Sequence, residues 1–312
     1  MFEPGYITLY KNGELEKRRS LAYKILKSCS LCPRNCKVNR LEEERGFCKT
    51  GSRPIISSCG PHFGEESPLV GEHGSGTIFI TNCNLGCVFC QNYDISHLGQ
   101  GLEVSLEDLA AIMLSLQLKG CHNINFVSPT HIIPQILAAL LLAIEKGLSI
   151  PLVYNTGAYD NINCIRLLDG VFDIYMPDFK FAGLEESETY AKASDYFESA
   201  SKAILEMYRQ VGDLKLDSKN IAHQGLLLRH LVMPNNLAGT EKVMDFISSK
   251  ISKNTYINIM DQYRPCGEAN RYPELNRGIT DQEYKDAIDI AFKHGLTRLD
   301  DRRRLPGHWL TF

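Results

Sequence analysis

From Thr77 onward, short apolar runs alternate with longer stretches of helical period, and no other feature of the chain limits its fold as strongly. Strands that are apolar almost throughout must be covered on both faces, the condition of a parallel sheet with crossover helices. Six such runs stand at residues 77–82, 123–127, 151–155, 172–177, 226–232 and 256–260. Eight units close a full ring, so six predict an α/β fold built as an open, partial (β/α)6 barrel whose side admits a large substrate. Ser105-Leu106-Glu107-Asp108 and Thr280-Asp281-Gln282-Glu283 read as capping-box helix starts. Residues 184–212 read as an elaborated helical crossover.

Barrels of this kind place their chemistry at the carboxyl ends of the strands. Directly after the first run comes Cys83-Asn84-Leu85-Gly86-Cys87-Val88-Phe89-Cys90. Structural zinc normally takes four protein ligands, whereas three thiolates can hold a four-iron four-sulfur cluster and leave one iron open. A zinc knuckle completed by Cys59 or Cys121 is the alternative use of the same thiols.

Composition excludes more than it selects. The 312 residues are 44% hydrophobic and 23% charged, with a net charge of -3, so no nucleic-acid footprint is expected. Arg302-Arg303-Arg304 reads as a solvated face or a carboxylate partner. The start, Met1-Phe2-Glu3-Pro4-Gly5, lacks the basic and apolar segments of a secretory signal, so a cytoplasmic protein is expected. The longest apolar run, residues 136–144, is about half of the ~20 residues a membrane span needs, so no membrane association is expected. Eleven cysteines in a reducing compartment favour metal or cluster ligation over disulfides.

Residues 1–75 do not follow the alternation and form a cysteine-rich N-terminal extension to the barrel of residues 76–312. Their end is marked by Glu65-Glu66-Ser67-Pro68 and by Gly71, Gly74 and Gly76. Cys29, Cys32, Cys36 and Cys48 are a possible second site, for which zinc, an accessory iron-sulfur cluster and no metal all remain open. Cys59, Cys121, Cys164 and Cys266 read as structural thiols, Cys266 being the most interesting because it precedes Gly267 in a loop. His62, His73 and His131 read as isolated structural polar residues.

The three-then-two cysteine spacing, with Phe89 before the last thiol, resembles the signature of the radical S-adenosylmethionine superfamily. Residues 76–83, 91–96 and 258–265 together look like the iron-sulfur branch related to pyruvate formate-lyase activating enzyme, and the resemblance covers almost the whole chain. It implies a 4Fe-4S cluster on Cys83, Cys87 and Cys90. It further implies S-adenosyl-L-methionine, reductive cleavage to a 5'-deoxyadenosyl radical, and hydrogen abstraction by an oxidoreductase. The implied partners are a protein substrate with a glycyl-radical loop, docking on residues 261–277, and a flavodoxin or ferredoxin as electron donor. Phe89 is implied near adenine. Asp178-Phe179-Lys180 resembles the Asp-x-Lys element of these enzymes, and Arg229 lies on a strand similar to their arginine-containing one, making all three candidate cofactor contacts. Two features depart from the pattern. Where activating enzymes often have Gly-Gly-Glu, this chain has Val127-Ser128-Pro129-Thr130-His131, so Ser128 and Thr130 are the candidate partners of the cofactor amine. The extra cysteines precede the loop instead of following it. The alternative reading is an iron-sulfur electron-transfer or metal-binding protein without cofactor cleavage.

Overall fold

The computed structural model describes residues 2–300; the Arg302–Arg304 run lies outside the described residues. All six expected strands form, together with three more. In chain order they are β1 (Ile55–His62), β2 (Ser75–Ile80), β3 (Leu102–Glu103), β4 (Ile124–Val127), β5 (Leu152–Thr156), β6 (Ile174–Pro177), β7 (Lys215–Leu216), β8 (Ala222–Leu231) and β9 (Tyr256–Met260). β2, β4, β5, β6, β8 and β9 pair in that order, every pair parallel, which is the expected partial barrel. Short antiparallel strands finish the edges: β1 pairs β2, β3 pairs β1, and β7 pairs β8.

Alternation along each strand separates two environments. Ile78, Ile80, Ile124, Phe126, Leu152, Tyr154, Tyr175, Leu226, Leu228, Ile257 and Ile259 face outward into one large core shared with the helices. At roughly 2 kcal/mol for each fully buried large side chain, this layer dominates the stability. The concave face holds a smaller apolar group, Val153, Ile174, Met176, Leu227 and Tyr256, on which Leu69 is seated. Asn123 Nδ2 donates to the Leu69 carbonyl at 2.9 Å, fixing that plug against the foot of β4.

The cysteine-rich extension shares this architecture. β1 belongs to the sheet, and Tyr6, Leu15, Ala22, Leu26 and Leu31 join the outer core. The expected opening at the side of the barrel is narrowed by residues 62–70, because Glu65, Glu66 and Leu69 are buried inside it. The long crossover consists of two helices, Leu184–Ala191 and Tyr196–Val211.

Both expected capping boxes form. At the last helix, Glu283 accepts the Thr280 N–H at 2.8 Å and the Asn235 N–H at 2.7 Å, and it pairs with Arg277 at 2.7 Å. Hydrogen bonds from Arg277 lead the forces that hold its carboxyl at about 2, below the ordinary 4.5. A depressed carboxylate contributes stability that is present above its unfolded value and is lost as pH falls toward the folded one. Glu283→Gln is therefore expected to cost about 1 kcal/mol at pH 7, and the deficit should shrink from pH 4.5 to pH 3. Urea unfolding of both proteins at stepped pH checks this; a deficit that stays constant would remove the charge from the account.

Candidate functional site

The cysteine loop leaves the carboxyl end of β2 through Asn82, whose φ of 71° turns the chain sharply off the strand. Gly86 N–H donates to the Ala191 carbonyl at 3.0 Å and Val88 N–H to the Tyr190 carbonyl at 2.9 Å, so helix Leu184–Ala191 holds the loop open. Cys83 Sγ accepts the Leu85 N–H at 3.4 Å, and Cys90 Sγ accepts the Ser96 hydroxyl at 3.1 Å. Burial pushes the Cys83 thiol up to about 11 and Cys87 to about 12; Lys180 pulls both the other way. Cys83, Cys87 and Cys90 leave one short loop and act on one another electrostatically, although among the described residues no three such side chains close on a single point.

Below the loop, the concave face turns polar. Asn125, Asn155, Asp178, Arg229 and Asn258 occupy its inward positions, one from each of five strands or strand ends, with Glu65 and Glu66 entering from the side. Asp178 pairs with Lys180 Nζ at 2.6 Å and with Arg229 Nε at 2.6 Å. Arg229 also donates to Asn155 at 2.8 Å and lies 3.7 Å from Glu66 and 3.9 Å from Glu65. Asn258 donates to Glu66 at 2.9 Å. Tyr196 supports the group from behind by donating to the Asp178 carbonyl at 2.7 Å and accepting the Lys180 N–H at 2.9 Å.

Charge balance follows from these contacts. Burial raises Asp178, but Arg229 and Lys180 more than reverse it and hold the carboxyl below its usual range. Burial opposes the Lys180 charge, and Asp178 overcomes it, raising the ammonium. Glu65 ends low despite burial, through its hydrogen bond with His62 and the charge of Arg229. Glu66 ends high, chiefly by burial, and retains a proton more readily than its neighbour. Two cations, Arg229 and Lys180, then face the lowered carboxylates of Asp178 and Glu65, with Glu66 biased by burial toward its protonated form. Among the described residues Glu66 Oε2 lacks a hydrogen-bond partner, while Asn125 stands beside Glu65 and helps lower it.

The other candidates are distributed unequally. Ser128, at a φ of 60°, stands beside Cys83 and helps lower its thiol. The buried Thr130 hydroxyl donates to Asp160 at 2.7 Å, within a network that includes Tyr154 and Thr156. Phe89 is buried beneath the loop, with its ring 5.8 Å from Phe181 and 6.0 Å from Tyr263. Cys59 is exposed on β1 and Cys121 buried, whereas half-buried Cys266 approaches Cys90 closely enough to feel its charge. The expected docking segment, residues 261–277, lies on the loop itself: Glu268 N–H donates to the Val88 carbonyl at 2.7 Å. Gly267, at a φ of 55°, is pressed so closely that an added Cβ would stand 2.5 Å from Tyr93. Glu65, Glu66, Asn125, Asn155 and Asn258 were missed in the sequence. Polar residues at every second position of otherwise apolar runs were the available signal.

A family model described as the radical SAM superfamily matches residues 77–212. The uncharacterized protein MJ0674 of Methanocaldococcus jannaschii is 35% identical over 310 residues, covering 96% of this chain and 85% of that protein. The chain belongs to the radical SAM superfamily. HydG, a maturase of the FeFe-hydrogenase, superposes with a TM-score of 0.50 at 13% identity, over 72% of this chain and 50% of its own, a likeness of fold alone. TsrM from Kitasatospora setae, a radical S-adenosylmethionine methyltransferase, superposes with a TM-score of 0.43 at 13% identity, over 61% of this chain and 37% of its own.

Membership in the radical SAM superfamily implies a 4Fe-4S cluster and S-adenosylmethionine, and the site fits them. Three thiols on one short loop can supply three of a cluster's four ligands, hydrogen-bond donors already reach Cys83 and Cys90, and the Lys180 ammonium offsets thiolate charge at Cys87. Removing one partner of a buried charge group strands the others, so Asp178→Ala is expected to cost about 3–5 kcal/mol. Glu66→Gln should cost under about 1 kcal/mol, because burial already favours the protonated form of Glu66. Denaturant unfolding of both variants checks the pair; a loss for Glu66→Gln as large as that for Asp178→Ala would show that Glu66 is ionised.

Proposed function

We propose that this radical SAM protein removes a hydrogen atom from the backbone of a protein or peptide, in the manner of the pyruvate formate-lyase activating enzymes it resembles. In that chemistry the cluster and S-adenosylmethionine together supply a 5'-deoxyadenosyl radical. Cys83, Cys87 and Cys90 hold the cluster. Lys180, beside Cys87, meets the carboxylate of the cofactor's methionine end, while Ser128, beside Cys83, offers a hydroxyl to its amine. Arg229 is already ringed by Asp178, Glu65 and Glu66, and its part is to hold those carboxylates in place. Phe89, packed between the loop and Tyr263, forms an apolar wall that keeps water from the reacting carbon.

The observation that supports a macromolecular substrate is the seat of residues 261–277. This segment is bonded to the loop at Val88 and Gln91, and it presents Pro265, Asn270 and Arg271 to solvent. A chain docked there is delivered to the cysteines, whereas the lower side of the barrel is filled by Glu65, Glu66 and Leu69.

The test is anaerobic. The iron- and sulfide-reconstituted protein is reduced, mixed with S-adenosylmethionine and purified pyruvate formate-lyase, and assayed for 5'-deoxyadenosine and for a glycyl-radical resonance. Both are expected, both should fall to background in Cys87→Ala, and Lys180→Met should lower both by ~10–100-fold. 5'-Deoxyadenosine without any radical on the added protein would overturn the proposed substrate and leave the family chemistry standing.

A further inference from the structure

Four cysteines that the radical site does not use come together on the other side of Thr81. Cys29, Cys32, Cys36 and Cys48 line a single pocket with Arg40 and His131. The backbone gathers them deliberately. Cys29 N–H donates to the Val38 carbonyl at 2.9 Å, Lys37 N–H returns to the Cys29 carbonyl at 3.0 Å, and Asn35 N–H closes a turn on Cys32 at 3.1 Å. Asn35 and Lys37 take φ values of 47° and 61° to make that knuckle. Cys48 arrives on a second turn, where Lys49 N–H donates to Gly46 at 3.0 Å. Gly46 must be glycine, because a Cβ there would stand 2.7 Å from Cys36 Sγ.

Two further observations point to a ligand. Arg40 is 1% exposed, and its guanidinium donates only to carbonyls: twice to Gly51, at 3.1 and 2.8 Å, and once to His131, at 2.7 Å. Among the described residues it pairs with no carboxylate. A guanidinium stays charged in proteins, and a buried charge without a counter-ion costs several kcal/mol. His131, 2% exposed, places Nε2 2.9 Å from the Thr81 carbonyl. A carbonyl only accepts, so Nε2 carries the hydrogen and Nδ1 of the neutral ring is a bare lone pair; it is buried, with no partner among the described residues. An imidazole that gives one N–H to a carbonyl and keeps the other nitrogen free is the arrangement of histidines beside metals.

We propose that Cys29, Cys32, Cys36 and Cys48 bind a second, thiolate-held metal centre, with Arg40 as its buried counter-charge and the His131 nitrogen as an additional donor. A divalent core on four thiolates is net negative, which is the charge Arg40 lacks. Zinc and an iron-sulfur cluster share this chemistry. The four thiols surround the pocket, and among the described residues no three such side chains close on one point, so loading draws them inward. The centre does not depend on the proposed hydrogen abstraction, but it is strapped to that site: Arg34 stacks 3.8 Å from the Phe47 ring and donates to the Asn84 carbonyl, inside the radical loop, at 3.0 Å.

The experiment measures zinc, iron and sulfide in anaerobically purified protein, in Cys36→Ser/Cys48→Ser and in Cys87→Ala. With zinc, the double variant loses about one zinc per chain and keeps its iron. With a second cluster, it loses about four irons per chain and Cys87→Ala retains those same four. Equal metal contents in wild type and the double variant overturn the proposal. Folding of the variant is bypassed by alkylating the native wild type and mapping the label. Cys36 and Cys48, only half-buried, should resist until an oxidant and chelator strip the metal, while exposed Cys59 reacts at once. Labelling of Cys36 and Cys48 as fast as Cys59 before stripping also overturns it.

Discussion

Arg229 is a cation inside a barrel, and much of the surrounding structure answers to it. β8 turns its side chain inward, away from the helices, so the counter-charges must come from other elements. Asp178 supplies one from the end of β6, and Glu65 supplies another from a segment that lies far away in sequence. The attraction that draws Glu65 inward also brings Glu66 and Leu69 to the concave face, where Leu69 closes the foot of the barrel. Lys180 then shares Asp178 with Arg229 and stands next to Cys87, so the charge balance of the buried group and the electrostatics of the cysteine loop are one problem. The low interior dielectric makes that coupling strong and makes any unpaired member costly.

A second junction lies at Thr81, the last residue before the turn into the cysteine loop. Its N–H donates to Ile55, next to β1's partner register, and its carbonyl accepts from His131 in the loop after β4. The His131 carbonyl in turn accepts from Arg40 in the N-terminal extension. Asn82, one residue on, donates to Thr50, whose hydroxyl holds the Cys48 carbonyl. The two cysteine groups are therefore joined by a short succession of hydrogen bonds, and a displacement of either reaches the other through rigid, buried partners. His131 looks isolated in sequence because its two partners come from residues 40 and 81; its significance exists only after folding.

The parallel strands and the cysteine loop were legible because each is a local pattern: an apolar run of strand length, or three thiols within eight positions. Asp178, Lys180 and Arg229 were legible by resemblance, and the structure brings them into contact. What escaped was everything whose meaning is non-local. Glu65-Glu66-Ser67-Pro68 has the composition of an exposed turn, and the burial of both side chains is explained by partners distant in sequence, Arg229 for Glu65 and Asn258 for Glu66. β1 carries Pro61, Gly60 and polar residues, weak strand formers that the edge of the sheet tolerates because pairing with β2 supplies what propensity does not. Asn125, Asn155 and Asn258 were hidden by the apolar residues between them, although their alternation marks one face of the sheet.

The open side of the barrel is where β2 and β9 stand at the two ends of the parallel run. A six-stranded barrel leaves a gap between β2 and β9, and a gap bordered by unpaired strand edges invites a chain to enter there. Here β1 covers the β2 edge along its length, and Glu66 spans the remaining distance to Asn258 on β9. The lower gap is thus occupied by Glu65 and Glu66, and opening it would take the Glu65 carboxylate away from the buried Arg229. At the carboxyl end, residues 261–277 rest on the cysteine loop through the Glu268 N–H to Val88 bond and the close approach of Gly267, and they are anchored in the core by Tyr263, Ala269 and Leu275. The same charge balance that holds the barrel together therefore keeps its lower gap filled, beneath the loop that carries Cys87 and Cys90.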